Sequence, residues 1–139
     1  MKFYAVIDTN VLVSAMLKRD SIPGSILELA FSGIIVPVLN QAIVQEYQVV
    51  LSRPKFHFDS VLVNQILTAI QSHALFVDEE HLEVELPDPN DRVFYEVVME
   101  ERKDRDAYLV TGNIKHFPIK PFIVTPRQML DIIVHRAEE

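Results

Sequence analysis

Four polar clusters in this chain carry side chains able to do chemistry: Asp8-Thr9-Asn10, Glu46, Asp88 to Asp91, and Thr111-Gly112-Asn113. Carboxylates gathered without cations repel, so acids that converge imply a hard divalent ion with oxygen ligands. Each cluster has a plainer reading too. Asp, Thr and Asn are ordinary N-caps, so Asp8-Thr9-Asn10 equally suits a helix start. Glu46, between Ala42 and Val50 on the flank of an apolar stripe, suits a solvated helix shoulder. In Pro87-Asp88-Pro89-Asn90-Asp91, Asp88 is the N-cap, Pro89 the first helical position, and Asp91 faces the positive end of the helix. One cap needs one acid, which leaves Asp91 for a site. Gly112-Asn113 is turn-like, while the Thr111 hydroxyl can hydrogen-bond a carboxylate.

Position separates these readings. Apolar runs rich in β-branched and aromatic residues at 3–7, 34–38, 74–77, 107–110 and 122–124 lack polar alternation and read as buried parallel strands. Helical patterns lie between them, at about 10–18 and 24–32, broken by a turn around Ile22-Pro23-Gly24, then at about 40–52, 59–72, 89–103 and 126–137. Ile43, Tyr47, Val50 and Leu51 form one apolar stripe, and Leu62, Ile66, Ala69 and Ile70 another. Thr125, Pro126 and Gln128 make a capped helix start. Alternating strands and helices predict one α/β domain over 1–139: three layers, α/β/α, around a parallel sheet of about five strands. Helices that follow strands start at the carboxyl edge of such a sheet. Asp8 and Thr111 follow strands directly, Asp88 to Asp91 begin a helix, and Glu46 lies in the second turn of another. All four clusters can therefore share one rim, where such folds hold ligands. Asn10 would orient Asp8 by hydrogen bonding.

Composition narrows the classes further. A 139-residue chain that is 49% hydrophobic can bury a real core and is not disordered. With no cysteine, disulfides and thiolate metal sites are excluded. The opening apolar run stops at Asp8, too short for a signal peptide or a spanning helix, so a cytoplasmic protein without membrane contact is expected. A formal charge of −7 speaks against a simple basic nucleic-acid binder, though not against an enzyme whose bound metals alter the local sum. Arg53, Lys55, Arg92, Lys115 and His116 are candidate phosphate contacts, or scattered surface charge. The five histidines, His57, His73, His81, His116 and His135, show no zinc pattern. Glycine-rich phosphate loops and a G-x-S-x-G elbow are absent from the sequence.

In this order and spacing the motifs resemble a PIN domain, the nuclease fold of VapC-type toxins. Ile7-Asp8-Thr9-Asn10-Val11 resembles the family's opening motif, and Gln45-Glu46-Tyr47 its second acid. Leu51-Ser52-Arg53-Pro54-Lys55-Phe56 is similar to a segment of one bacterial subfamily of toxin components. Pro87 to Phe94 resembles that subfamily's D-P-D-D-N-x-F stretch, with Asp91 as third acid, and Tyr108 to Asn113 its Y-L-V-T-G-D. Ile123-Val124-Thr125-Pro126 resembles its last strand and cap. Two departures stand out: Asn113 occupies the place of the fourth acid, and Arg105-Asp106-Ala107 replaces a small Gly-Ala-Asp lead-in. An asparagine keeps an oxygen ligand but loses a charge, so a second metal binds less tightly.

The resemblance implies metal-dependent hydrolysis of RNA. Asp8, Glu46 and Asp91 would hold Mg²⁺ or Mn²⁺, with Asn113 as a further ligand and Asn10, Asp88 and Thr111 in support. It also implies a cognate antitoxin protein as partner and a homodimer. Asn113 suggests an alternative, a catalytically silent PIN domain that binds RNA or protein. A phosphoacceptor receiver domain using Asp78, Thr111 and Lys120 ranks lower, since paired acids after the first strand are missing. A haloacid-type phosphatase, which needs a second Asp where Asn10 stands, ranks lower still.

Overall fold

Apolar, largely β-branched segments supply five short strands: β1 (Phe3–Ile7), β2 (Ile35–Leu39), β3 (Leu75–Phe76), β4 (Ala107–Val110) and β5 (Ile123–Val124). In the computed structural model, which describes residues 1–78 and 84–138, they form one sheet in the order β3-β2-β1-β4-β5. Every pairing is parallel. β4 is buried at all its positions and β1 at all but Tyr4, as strands covered on both faces must be. Six helices among the described residues flank the sheet in a three-layer α/β/α arrangement: α1 (Thr9–Leu17), α2 (Ile22–Ser32), α3 (Gln41–Leu51), α4 (Ser60–Ser72), α5 (Arg92–Glu101) and α6 (Pro126–Ala137). α5 lies across β1, β2 and β4, while α2 meets β2 and α6. None of these helices is long and apolar enough to cross a membrane.

Several boundaries differ from the sequence reading. Pro23 does not break a helix but sits in the first turn of α2, where its missing N–H is no loss. The break lies just before it, and Ser21 caps α2 by accepting from the Gly24 N–H at 3.1 Å. A Cβ on Gly24 would meet the Arg19 carbonyl oxygen at 1.9 Å, so only glycine fits this α1–α2 corner. The stripe of α3 is as expected, whereas α4 buries Val63, Ile66, Leu67 and Ile70 and leaves Leu62 exposed. The helix expected at 89–103 divides into a 3₁₀ turn, Pro89–Asp91, and α5. Asp88 caps that turn, accepting from the Asn90 N–H at 3.0 Å. α6 carries the full capping box of Thr125 and Gln128. His81 lies outside the described residues.

The strand order locates a crevice. The chain winds outward from β1 to β2 and β3, then returns to place β4 on the other side of β1. Winding direction therefore reverses between β1 and β4, and in open α/β sheets ligands bind outside the carboxyl ends at that point. Ile7 pairs with Val110 in register, so the residues that follow them, Asp8 and Thr111, emerge side by side. The receiver reading fails on the same observation. That fold runs 2-1-3-4-5, and here Asp78 is exposed beyond β3, at the far edge of the sheet.

Candidate active site

Asp8 occupies the N-cap position of α1 by its backbone, with φ −63° and ψ 144°, yet its side chain makes no capping hydrogen bond. Its carboxylate turns to the switch point instead. There Oδ2 accepts from Thr111 Oγ1 at 2.8 Å and from Asn10 Nδ2 at 3.4 Å. The Asp8 N–H donates to the Val110 carbonyl at 2.9 Å. Asn10 Oδ1 accepts from the Gly112 N–H at 3.0 Å, and Thr111 Oγ1 accepts from the Asn113 N–H at the same distance. Three of these hydrogen bonds join the segments leaving β1 and β4, the other two each brace one segment internally, and together they fix Asp8, which is 5% exposed.

The other acids arrive from α3 and from the turn before α5. Glu46 is half-buried, and its Oε2 accepts from Thr9 Oγ1 at 2.7 Å. Its neighbour Tyr47 is fully buried and donates its hydroxyl to the Ile7 carbonyl oxygen. Asp91 stands at the N-terminus of α5 without capping it, and its Oδ2 lies 3.3 Å from His116 Nδ1.

The three acids sense one another. Burial, joined by the charges of Asp91 and Glu46 and opposed by the Thr111 hydrogen bond, raises the Asp8 carboxyl to about 6. Asp91 is raised by burial and then by Asp88, opposed by His116, with Glu46 adding to the rise. Such mutual repulsion is what an oxygen-seeking cation relieves. Among the described residues no three acids or histidines stand close enough to enclose an ion on their own. The side chains that face this point offer carboxylate and hydroxyl oxygens, the donor kind that a hard divalent ion takes.

Asp8, Asn10 and Thr111 are joined by hydrogen bonds, Glu46 reaches the same segment through Thr9, and Asp91 senses the other acids through charge. Asp88 caps the turn that carries Asp91. Asn113 is exposed, and it lines a cavity of about 170 Å³ together with Asn10, Ser14 and Gly112. A second hollow, about 340 Å³, runs past Glu46, Asn90 and Arg92. A larger one, about 560 Å³, lies toward β3 beside Asn40, Phe76 and Asp78 and includes none of the acids. Sequence reasoning missed the pairing of Thr9 with Glu46, and it took His116 as a phosphate contact where it faces Asp91. The available signal for Thr9 was a hydroxyl next to Asp8 on a helix start.

Residues 4–115 match the model of the PIN domain family, a span that contains every acid above and ends before β5. The chain is also 30% identical over 116 residues to the uncharacterized protein MJ1680 of Methanocaldococcus jannaschii, covering 81% of this chain and 72% of that one.

Proposed function

Because the chain belongs to the PIN domain family, whose nuclease-type fold generally serves ribonucleases, we propose that it hydrolyses RNA phosphodiester bonds with Mg²⁺ or Mn²⁺. The observation that carries this reading is Asp8: a buried carboxylate at the topological switch point, in a capping position it does not use. Asp8, Glu46 and Asp91 would hold the ion, and Asn113 would offer a neutral oxygen. When bound, the ion activates water and offsets the charge that builds on the phosphate. Thr111 and Asn10 donate to Asp8 and keep it oriented as an acceptor. His116 restrains Asp91, and Asp88 shapes the turn that presents it. Arg53, Lys55 and Lys115 are exposed and would meet RNA phosphates.

The resemblance of Pro87 to Phe94 and of Tyr108 to Asn113 to a toxin subfamily supports a finer reading. In it the protein is the toxin of a toxin–antitoxin pair, cytoplasmic, homodimeric and held in check by an antitoxin protein.

The test is cleavage of single-stranded RNA with Mn²⁺ or Mg²⁺. Activity is expected to vanish with chelator and to fall by roughly 10³-fold in Asp8→Asn, the scale on which removing one active-site electrostatic group acts. Cleavage that survives both treatments overturns the assignment. The second reading, a silent RNA- or protein-binding module, is favoured by the neutral, exposed Asn113. If only that ligand was lost, protein that binds RNA without cutting it gains activity in Asn113→Asp.

A further inference from the structure

Two consecutive residues of α3 are fastened to the residues on either side of Asp8. Thr9, which follows Asp8 and is 5% exposed, donates through Oγ1 to Glu46 Oε2 at 2.7 Å, across 37 positions of sequence. Tyr47, 1% exposed, donates its hydroxyl to the carbonyl oxygen of Ile7, the residue before Asp8. We propose that the Thr9 and Tyr47 hydroxyls are positioning groups that fix Glu46 against Asp8 and so set the spacing at which the two acids take a divalent cation. This rests on the metal-dependent reading above.

Packing alone does not set that spacing. α1 and α3 touch, but apolar contact is non-directional and leaves the register of one helix along the other loosely defined. Hydrogen bonds are directional, and these two fall on both sides of the acid whose position matters. Neither hydroxyl is needed for local structure. Thr9 is the first residue of α1, where its burial would be met as well by an apolar side chain, and a buried hydroxyl is costly unless bonded. The Tyr47 hydroxyl faces a carbonyl oxygen, which can only accept, so the hydroxyl is the donor to Ile7. Threonine has a single hydroxyl proton, and donating it to Glu46 Oε2 fixes the direction in which that carboxylate is held.

The test is Mn²⁺ binding to the whole protein without RNA, read from the electron paramagnetic resonance signal of free Mn²⁺, with metal-free melting recorded alongside. Thr9→Val is expected to bind Mn²⁺ about 10- to 100-fold more weakly, the range for groups that orient metal ligands. Thr9→Ser, which keeps the hydroxyl, restores binding. Tyr47→Phe moves in the same direction by less. A Thr9→Val/Glu46→Gln double variant binds no worse than Glu46→Gln alone, because Thr9 acts through Glu46. Melting that falls in Thr9→Val while Mn²⁺ affinity holds, with Glu46→Gln still weakening it, overturns the positioning role and leaves the metal reading intact. Equal loss in Thr9→Ser and Thr9→Val also overturns it. Wild-type protein that binds no Mn²⁺ overturns both. Should Thr9→Val fail to fold, Tyr47→Phe and Thr9→Ser carry the same comparison.

Discussion

At the amino end of the sheet, Glu101 is 2% exposed and its Oε1 lies 3.1 Å from Arg105 Nη1. At the carboxyl end, Asp8 is nearly as buried, but its partners are a hydroxyl and an amide, and its charged neighbours are acids. Burial raises both carboxyls. Arg105 then opposes the rise at Glu101, whereas Asp91 and Glu46 add to it at Asp8. The amino end also holds its arginines against rings and a hydroxyl. Arg105 lies 4.8 Å from the Tyr4 ring centre and Arg102 4.2 Å from that of Phe122, while Arg136 donates to the Tyr108 hydroxyl at 2.8 Å. One end of the molecule pairs its buried acid with a cation. The other retains a repulsion that a proton or a bound cation relieves, which supports the reading of that end as the site.

The largest effect that would break this contrast is at Asp8. Its folded pKa of about 6 exceeds the unfolded value of 3.8, so between these the folded protein binds more protons. Stability without metal therefore falls as pH rises from about 4 to about 6 and stays reduced above that. Asp8→Asn removes the penalty and is expected to stabilise the metal-free protein by about 2–3 kcal/mol at pH 7. The gain should disappear near pH 3. Mn²⁺ at a hundred times its Kd should stabilise the wild type by about 2.7 kcal/mol and Asp8→Asn by much less. Denaturant unfolding at pH 7 and at low pH, with and without Mn²⁺, reads all of these. A variant less stable than wild type at pH 7 would show that Asp8 is structural.

At the amino end the sign reverses. Arg105→Ala leaves Glu101 buried beside an Oε2 that already lacks a hydrogen-bond partner among the described residues. Breaking a buried pair is strongly destabilising, but Arg105 is 43% exposed and solvent screens part of its charge. A loss of about 1–2 kcal/mol at pH 7 is expected. It should shrink as pH falls and Glu101, whose carboxyl burial raises, takes up a proton, and RNA cleavage should be unchanged. Lost cleavage together with intact stability would place function at the wrong end of the sheet.

The parts of the fold set by local pattern were readable from the residues. Strand runs without polar alternation, the stripe of α3 and the capping box at Thr125 each follow from spacing and side-chain type. The rim also followed, because parallel crossovers put helix starts at one edge. What could not be read was set by tertiary contact. Strand order, and with it the reversal between β1 and β4, depends on which neighbours pair. Pro23 reads as a breaker in isolation, yet the Ser21 cap makes it an opening residue. Leu62 and Val63 both suit an apolar stripe, and only the packing partner of α4 chooses between them. The Thr9–Glu46 bond spans 37 positions and is invisible to any local window.

The smallest effect sharpens the contrast at a single backbone position. Gly112 follows Thr111, and a Cβ there would stand 3.3 Å from Asn10 Oδ1, the atom that accepts from the Gly112 N–H. Gly112→Ala must therefore push the Asn10 amide by a few tenths of an ångström. Gly112 is exposed and the amide is at the end of a side chain, so the fold should lose no more than about 0.5 kcal/mol. Asn10 has less freedom than that suggests, because its Nδ2 already reaches Asp8 Oδ2 at a long 3.4 Å. Moving the amide weakens the contact that orients Asp8, and cleavage should drop severalfold while melting stays almost unchanged. Asn10→Ala should give a similar drop, and the two changes together little more than either alone, since both act through one amide. Full additivity would mean that Gly112 serves the site by another route, with substrate passing close to its bare backbone.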